Sequence, residues 1–375
     1  MKVLHVVESL GRGAVETWLL RMLRFARARG VTLDWTFYCT LDGPASGDEA
    51  ARGLGARIEK SPVPLARKAA FMRALRGELR RGGYDVMHCH HDLVSGVYLL
   101  ASAKLPISRR IVHVHNADEA LPTPAYWKAG IARPFLRSVC LGMADRIAGI
   151  SQHALDTFLN GRARRIGQDV VHYYGIDTAP FESAPTDRAA FRRAHGLPET
   201  CRVLLFAGRM VPEKNPLFAL DVFAALHRRD PDTAAIFVGN GSLDAELQRR
   251  TAQYGLQTRV RQLGWRDDVA AILPCCDWFI LPRPERPMEG FGIAVVEAQL
   301  AGLRMLLSQG IADDPLLPDA CYRRLPLAAG AQTWVDAALA LAHEPAPSRE
   351  AARRALAASP MDMDRALAAL TALHG

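Results

Sequence analysis

The chain has 375 residues, of which 49% are hydrophobic and 23% charged, and this composition is typical of a globular protein with room for two domains. Its formal net charge of +8 suits phosphate-bearing ligands, nucleic acid or an anionic membrane surface and does not choose among them. No apolar run reaches the roughly 18 residues that a membrane-spanning helix needs. The seven cysteines are scattered without a CxxC pair, so we expect reduced thiols and a cytoplasmic protein.

The first predicted elements are a strand, a glycine loop and a helix. Residues 2–7 are a short apolar run, residues 10–14 contain two glycines, and residues 16–27 carry an apolar stripe near the helical period. This order is typical of the opening of an α/β nucleotide-binding domain. A dinucleotide-binding fingerprint is the alternative, but the third glycine is missing and the loop starts several residues after the strand, so we disfavour it.

A basic amphipathic helix is predicted over residues 65–81. Its apolar face carries Leu65, Met72, Leu75 and Leu79. Six cations surround that face: Arg67, Lys68, Arg73, Arg76, Arg80 and Arg81. One interpretation is a solvated helix face. The other is docking on an anionic phospholipid surface, where each basic residue contributes about 1 kcal/mol.

Histidines lie at the ends of two predicted strands, residues 85–91 and 109–116. Strand alternation puts His88 with His90 on one face, and His113 with His115. Zinc is disfavoured here, because Cys89 and His91 point to the opposite face and the sequence shows no second ligand cluster. Since ligands of α/β sheets gather at the carboxyl ends of strands, two histidine-bearing strand ends favour a binding site over packed core residues.

A hinge is predicted at residues 176–190, which are rich in Asp, Thr, Ser and Pro, and the α/β pattern then restarts. A strand at 202–207 runs into a loop at 208–216. In that loop Arg209 can fork onto phosphate oxygens and Lys214 adds a point charge, although two ordinary surface cations would look the same. The glycine-lysine-serine pattern of a P-loop NTPase is absent from the sequence.

The most informative stretch is residues 281–302. Three prolines interrupt regular structure after a buried strand, and Gly290-Phe291-Gly292 then opens a helix. The start of a helix presents backbone N–H groups at the positive end of the helix dipole, which suits an anion or a sugar hydroxyl. Glu289 precedes the glycines and Glu297 lies eight residues later, inside the helix.

This spacing resembles the E-x7-E element of the retaining GT-B glycosyltransferases of the "group 1" or family 4 type, and Gly-Arg209 followed by Glu-Lys214-Asn is similar to their diphosphate element. The resemblance implies an α/β fold of two facing Rossmann-like domains (GT-B architecture) with the ligand cleft between them. It implies an acceptor-side domain of residues 1–175, joined by a C-terminal helix at 360–375, and a nucleotide-sugar donor domain of residues 176–359.

The resemblance also implies roles for individual residues. Glu289 and the N–H groups of Phe291 and Gly292 would hold the donor sugar, Glu297 the ribose hydroxyls, and His115 the sugar or the leaving phosphate. The implied catalytic residues are His115, Arg209, Lys214 and Glu289. The implied donor-binding residues are Gly13, Arg209, Lys214, Gly239, Arg266, Glu289, Gly290, Phe291, Gly292 and Glu297. The chain departs from the family pattern at two positions, with Ala14 for a glycine and Tyr174 for an asparagine.

The implied activity is retaining, metal-independent transfer of a sugar from a nucleoside-diphosphate-sugar to a lipid-linked or polysaccharide acceptor at the cytosolic membrane face. A UDP-sugar is favoured as donor and a GDP-sugar is the second choice, with no further cofactor required. The alternatives are a small soluble acceptor, or a non-catalytic scaffold that binds nucleotide-sugars. We expect no nucleic acid partner, because no recognisable nucleic-acid-binding motif accompanies the positive charge.

Overall fold

The computed structural model describes residues 1–11, 13–116, 126–183 and 187–375, without the side chains of residues 126–129 and 183. The chain divides into two compact units. The first unit is Met1–Ile176 with Pro360–Gly375, and the second is Asp177–Ser359.

Within the described residues, the first unit contains a seven-stranded sheet in the order β3-β2-β1-β4-β5-β6-β7, and its neighbouring strands run parallel. Its strands are β1 (Lys2–Val7), β2 (Asp34–Cys39), β3 (Arg57–Lys60), β4 (Val86–Cys89), β5 (Arg109–Val114), β6 (Arg146–Gly149) and β7 (Asp169–Val171). Helices connect the parallel strands, as crossover connections require. They are α1 (Ala14–Ala28), α2 (Asp48–Gly53), α3 (Lys68–Gly82), α4 (Ser95–Ser102), α5 (Tyr126–Met143) and α6 (Gln152–Leu159).

The second unit repeats this pattern around a six-stranded parallel sheet in the order β10-β9-β8-β11-β12-β13. Its strands are β8 (Arg202–Ala207), β9 (Thr233–Val238), β10 (Val260–Gly264), β11 (Trp278–Leu281), β12 (Arg304–Ser308) and β13 (Tyr322–Leu325). Its helices are α7 (Ala179–Ser183), α8 (Arg188–Ala194), α9 (Pro216–Arg229), α10 (Asp244–Gln253), α11 (Val269–Ile272), α12 (Ile293–Leu300), α13 (Gly330–Ala342) and α14 (Arg349–Ala358). The chain then ends in α15 (Met363–His374), which belongs to the first unit.

These two sheets confirm the prediction of two Rossmann-like α/β domains. The strands form where apolar runs can be buried, because strands of parallel sheets are covered on both faces. All of β9 is buried, and so is β8 after its first residue. The carboxylate of Asp362 accepts hydrogen bonds from the backbone N–H groups of Asp364 and Arg365 and thereby caps α15.

The predicted hinge at 176–190 begins where the two units divide, between Ile176 and Asp177. It contains two helical segments that were not predicted, α7 and the start of α8, because the side chains of Asp177 and Asp187 accept hydrogen bonds from the backbone N–H groups of Ala179 and Ala190. Residues 184–186 of that hinge lie outside the described part of the chain.

The basic helix also differs from its prediction. It begins at Lys68 rather than at residue 65. Phe71 belongs to its buried face, whereas Met72, which was predicted on that face, is only half-buried. Arg76 does not point to solvent as a surface cation would, since its guanidinium donates to the carbonyls of Ala101 and Ala103. Among the described residues, no helix is long and apolar enough to cross a membrane.

Candidate functional site

A compact charged cluster lies in the second unit, where the loops after β8 and β11 meet. The ammonium of Lys214 lies 2.5 Å from Oε2 of Glu289, and Nη1 of Arg283 lies 3.2 Å from the same oxygen. The three side chains are largely buried, with exposed fractions of 17%, 12% and 10% for Lys214, Glu289 and Arg283. The sequence prediction placed Lys214 and Glu289 in one site, and the structure brings them into direct contact.

The electrostatics of this cluster show an excess of positive charge. Burial by itself raises the pKa of Glu289, but Lys214 and Arg283 outweigh burial and hold that pKa below its usual value, with a further contribution from Arg209. The pKa of Lys214 is also lowered, first by burial and then by Arg283 and Arg209, more than Glu289 restores it. The cations thus account for the shift of Glu289, whereas burial is the main cause of the shift of Lys214.

Arg283 is the residue that the sequence analysis missed. Its Nε donates to the carbonyl of Pro287 at 2.9 Å and its Nη1 to the carbonyl of Glu213 at 3.1 Å, so it ties the proline stretch to the loop that carries Lys214. Arg283 could have been identified from the sequence as a charged residue two positions after a buried strand, because ligand sites lie at the carboxyl ends of parallel strands.

The loop that carries Arg209 is held by two glycine turns. A Cβ added to Gly239 would lie 2.0 Å from the carbonyl oxygen of Gly208, and a Cβ added to Gly241 would lie 2.2 Å from that of Met210. These positions therefore need glycine because the backbone of the Arg209 loop passes directly against them. Arg209 itself is exposed, unlike Lys214.

The predicted sugar-binding turn leads directly into α12. Gly292 has a φ of 85°, in the left-handed region that favours glycine, and it precedes the first helical residue, Ile293. A Cβ at Gly292 would lie 3.3 Å from Cγ of Glu289, so the turn also keeps that side chain close. Phe291 is buried and Glu297 is half-buried within α12. The structure thus joins Gly290, Phe291 and Gly292 to the charged cluster through Glu289.

Arg266, predicted to lie on the base side, forms a two-point ion pair with Asp268. Its Nε lies 2.7 Å from Oδ1 and its Nη2 2.5 Å from Oδ2. The neighbouring Trp265 donates from its indole N–H to Asp267 at 3.0 Å. A ligand that used the Arg266 guanidinium would have to share it with Asp268.

The remaining predicted residues, Gly13 and His115, belong to the first unit. Gly13 precedes α1, and a Cβ there would lie 2.1 Å from Oε2 of Glu16, so glycine leaves room for that carboxylate at the helix start. The departure residue Ala14 is the first residue of α1 and is exposed.

His115 is part of a group of buried histidines on one side of the first sheet. We define the histidine cluster as His5, His88, His90, His113, His115, His172 and His374, all of which are at most 5% exposed. In one chain of contacts, Nδ1 of His5 lies 3.0 Å from His90 Nε2, and His90 Nδ1 lies 2.9 Å from His115 Nε2. His115 Nδ1 then lies 2.8 Å from the hydroxyl of Tyr174, so the second departure residue bonds directly to the predicted sugar-facing histidine.

A second chain of contacts runs through His374, His88 and His113, with ring nitrogens 3.0 and 3.2 Å apart. The indole of Trp18 packs against the rings of both chains. Burial lowers the pKa of every member of the cluster, to about 3 for His115 and His374 and about 4 for His172. Neighbouring histidines lower the pKa further in every member except His172. The imidazoles are therefore neutral at physiological pH.

The sequence argument that His88 and His90 have no second ligand cluster nearby was wrong. Within the described residues, the triads His5/His88/His374 and His88/His90/His113 each bring ring nitrogens within 4.8 Å of one another, close enough to hold a metal ion. The sequence does not indicate this contact, because His374 belongs to α15 and lies 286 residues after His88. In this structure, several ring nitrogens of these histidines lie at hydrogen-bond distance from one another. That the protein uses no metal stays a prediction.

Comparison with known proteins covers most of the chain. The family described as "Glycosyl transferases group 1" matches residues 187–311, and "Glycosyltransferase Family 4" matches residues 15–180. EpsF of Bacillus subtilis, which is named as a glycosyltransferase, is 26% identical over 98% of this chain and 95% of its own length. The UDP-Gal:alpha-D-GlcNAc-diphosphoundecaprenol alpha-1,3-galactosyltransferase of Escherichia coli is 25% identical over 73% of this chain and 71% of its own length.

Among solved structures, HepE of Anabaena in complex with UDP and glucose superposes with a TM-score of 0.78. The match covers 99% of this chain and 98% of HepE at 19% identity, which is a likeness of fold.

Proposed function

The chain belongs to the group 1 glycosyltransferases of the GT-B class and is a transferase, and on that premise we propose that it moves a sugar from a nucleoside-diphosphate-sugar to a lipid-linked or polysaccharide acceptor. The proposed transfer retains the anomeric configuration and needs no divalent metal. The favoured donor is a UDP-sugar. This choice is supported by the name of the E. coli relative, which gives UDP-Gal, and by HepE, a protein of similar fold that was solved with UDP.

The observation that carries the proposal is the excess of positive charge in the second unit. Lys214 and Arg283 contact one carboxylate, and Arg209 lies near enough to lower the pKa of both Lys214 and Glu289. Because these three cations outnumber the single carboxylate, the site suits a further anion such as a nucleoside diphosphate. In the reaction, the bond from the anomeric carbon to the diphosphate breaks, and these cations meet the charge that develops on the leaving oxygen.

The carboxylate and the helix start supply the sugar contacts in this proposal. Glu289 accepts hydrogen bonds from sugar hydroxyls, the start of α12 at Phe291 and Gly292 donates N–H groups, and Glu297 holds the ribose. The acceptor oxygen attacks on the face from which the diphosphate leaves. Its proton passes to a phosphate oxygen of the leaving group, so no carboxylate nucleophile is required.

The acceptor is proposed to be lipid-linked, and the protein to work peripherally at the inner face of the plasma membrane. The name of the E. coli relative gives a diphosphoundecaprenol acceptor for that enzyme. In this chain, α3 exposes Lys68, Arg73 and Arg80, and Arg67 is exposed directly before it; these cations suit an anionic phospholipid surface.

A transfer assay tests this function. The enzyme is incubated with UDP- or GDP-linked radiolabelled sugars and with an undecaprenyl-diphosphate-sugar in mixed micelles or a water-soluble sugar, each with EDTA or Mg²⁺. We expect labelled lipid from a UDP-sugar, equal rates in EDTA and Mg²⁺, and an α-linked product from an α-linked donor by NMR. Label in the water-soluble product alone would replace the lipid acceptor by a small soluble one, and activity abolished by EDTA would contradict metal independence.

A further inference from the structure

A cavity of about 270 Å³ lies in the first unit beside the predicted sugar-facing histidine. It opens where the chain leaves β4 and β5, and α5 and α6 complete its wall. The residues around it are Asp92, Leu93, Asn116, Arg133, Arg137, Thr157, Phe158 and Asn160. Its position at the carboxyl ends of parallel strands is where α/β folds bind ligands.

Two guanidinium groups give the cavity its charge. Arg133 and Arg137 are one helical turn apart on α5, and both are half-buried. Burial, and then the charge of Arg133, lower the pKa of Arg137. Within the described part of the chain, neither arginine forms an ion pair, and Nε of Arg137 is buried without a hydrogen-bond partner. Two like charges held together with an unused donor indicate a site for an anion.

The carboxylate in the cavity wall is engaged elsewhere. Asp92 is 3% exposed, and its Oδ1 accepts from the backbone N–H of His115 at 2.6 Å, while its Oδ2 accepts from the side-chain amide of Asn116 at 2.8 Å. Burial raises the pKa of Asp92 to about 6. Asp92 therefore fixes the end of β5, and it does not neutralise the arginines.

We propose that this cavity binds the phosphate group of the sugar acceptor, with Arg133 and Arg137 as the residues that hold its oxygens. The inference rests on the proposed function and names the acceptor class, which is a phosphate- or diphosphate-bearing molecule. Asn116 lines the cavity and follows His115 directly, so an acceptor anchored here lies next to the histidine predicted to face the donor sugar. The phosphate can belong to a polyisoprenyl lipid or to a water-soluble sugar phosphate.

The first test uses inorganic pyrophosphate as the probe and calorimetry as the readout. The protein is saturated with UDP, so that the charged cluster of the second unit is occupied, and pyrophosphate is then titrated. We expect one further site, whose affinity falls at least tenfold in Arg133→Gln and in Arg137→Gln. Arg24→Gln, which removes an exposed charge on α1, is the matched control and should bind as wild type does. Equal affinity in Arg137→Gln and wild type, or no further site in wild type, would overturn the proposal.

Donor binding is read in the same experiment. If UDP does not bind, the proposed function fails, and the pyrophosphate titration is repeated on Arg209→Gln, in which the second-unit cluster is weakened. Loss of that binding on adding Arg137→Gln still supports the cavity as an anion site, whereas unchanged binding overturns it.

Two further probes separate the sources of the phosphate. One is undecaprenyl phosphate in phosphatidylcholine vesicles, and the other is glucose 1-phosphate in solution. Binding that Arg137→Gln weakens for the vesicles alone assigns a lipid acceptor, and for the sugar phosphate alone a soluble one. If Arg137→Gln weakens pyrophosphate binding but neither of these, the assignment to an acceptor is wrong.

Discussion

Acidification from pH 7.5 to 5.5 should unfold the first unit before the second, because the histidine cluster must be neutral to stay buried. Burial is the main cause of the lowered pKa of each member, and the nearby imidazoles add to it. The folded unit therefore binds fewer protons than the unfolded chain below pH 6.5. The stability from neutral histidines is complete above that pH and is lost as pH falls toward the folded values of about 4 to 3.

The size of this loss follows from the number of histidines. An unfolded histidine with a pKa near 6.5 gains about 1.4 kcal/mol from protonation at pH 5.5, relative to one that stays neutral in the folded unit. The seven members of the cluster thus lose roughly 9 kcal/mol of stability between pH 7.5 and 5.5. Asp92, whose pKa is raised to about 6 by burial, takes up a proton in the folded unit, which restores about 1 kcal/mol of the lost stability. The net loss is comparable to the whole stability of a typical domain, about 5–15 kcal/mol.

Hydrogen exchange followed by mass spectrometry measures this for each unit separately, after correction for the intrinsic pH dependence of exchange. The second unit is the internal control, since its histidines His195, His227 and His343 are not buried. We expect β1, β4 and β5 to lose protection steeply between pH 6 and 5, and His5→Gln to reduce the slope by about 1.4 kcal/mol per pH unit. A slope below about 3 kcal/mol per pH unit, or earlier opening of the second unit, would refute the reasoning.

Three further predictions concern the donor site and the basic helix. Glu289→Gln should lower the transfer rate about a hundredfold. UDP should bind as tightly as to wild type or more tightly, because Lys214 and Arg283 lose the carboxylate that competes with the diphosphate. A fall in UDP affinity parallel to the fall in rate, measured by calorimetry, would argue against this. Gly239→Ala should lower the free energy of unfolding in urea by about 1–3 kcal/mol and weaken UDP binding, because the added Cβ would meet the carbonyl oxygen of Gly208. Gly53→Ala, which has open space around it, is the control and should leave both quantities unchanged. Replacing Arg67, Lys68 and Arg73 by Gln should weaken the affinity for anionic vesicles about a hundredfold at low salt, because each charge contributes about 1 kcal/mol. Sedimentation with vesicles measures this affinity, and neutral vesicles give a baseline that should not change. Equal sedimentation of the variant and wild type with anionic vesicles would exclude α3 as the docking face.

The sequence was sufficient where a local pattern determines the structure. Apolar runs predicted β8 and β11, and the spacing of Glu289 and Gly292 predicted the start of α12. The ion pair of Lys214 with Glu289 joins residues 75 apart, and it was accessible because both lie after strands whose carboxyl ends meet at one sheet edge.

The sequence was insufficient where side chains meet through tertiary packing. His5 and His374 join the histidine cluster from β1 and α15, and strand alternation says nothing about that contact. The bond between Tyr174 and His115 likewise depends on how the end of β5 packs, so the substitution of an asparagine by tyrosine looked like a loss rather than a new contact. Arg283 was missed because its contacts with Pro287 and Glu289 depend on how the proline stretch folds, and its third partner, the carbonyl of Glu213, belongs to a distant loop.

The central claim is that chain cations, and not a metal, bind a nucleoside diphosphate in the second unit. Calorimetric titration of UDP in EDTA tests it with wild type, Arg209→Gln and the matched control Arg228→Gln, which removes an exposed charge from α9. We predict binding by wild type and Arg228→Gln, and at least tenfold weaker binding by Arg209→Gln, which corresponds to about 1.4 kcal/mol for a charge-assisted hydrogen bond. No binding of UDP in EDTA, or the same affinity for wild type and Arg209→Gln, would contradict the account.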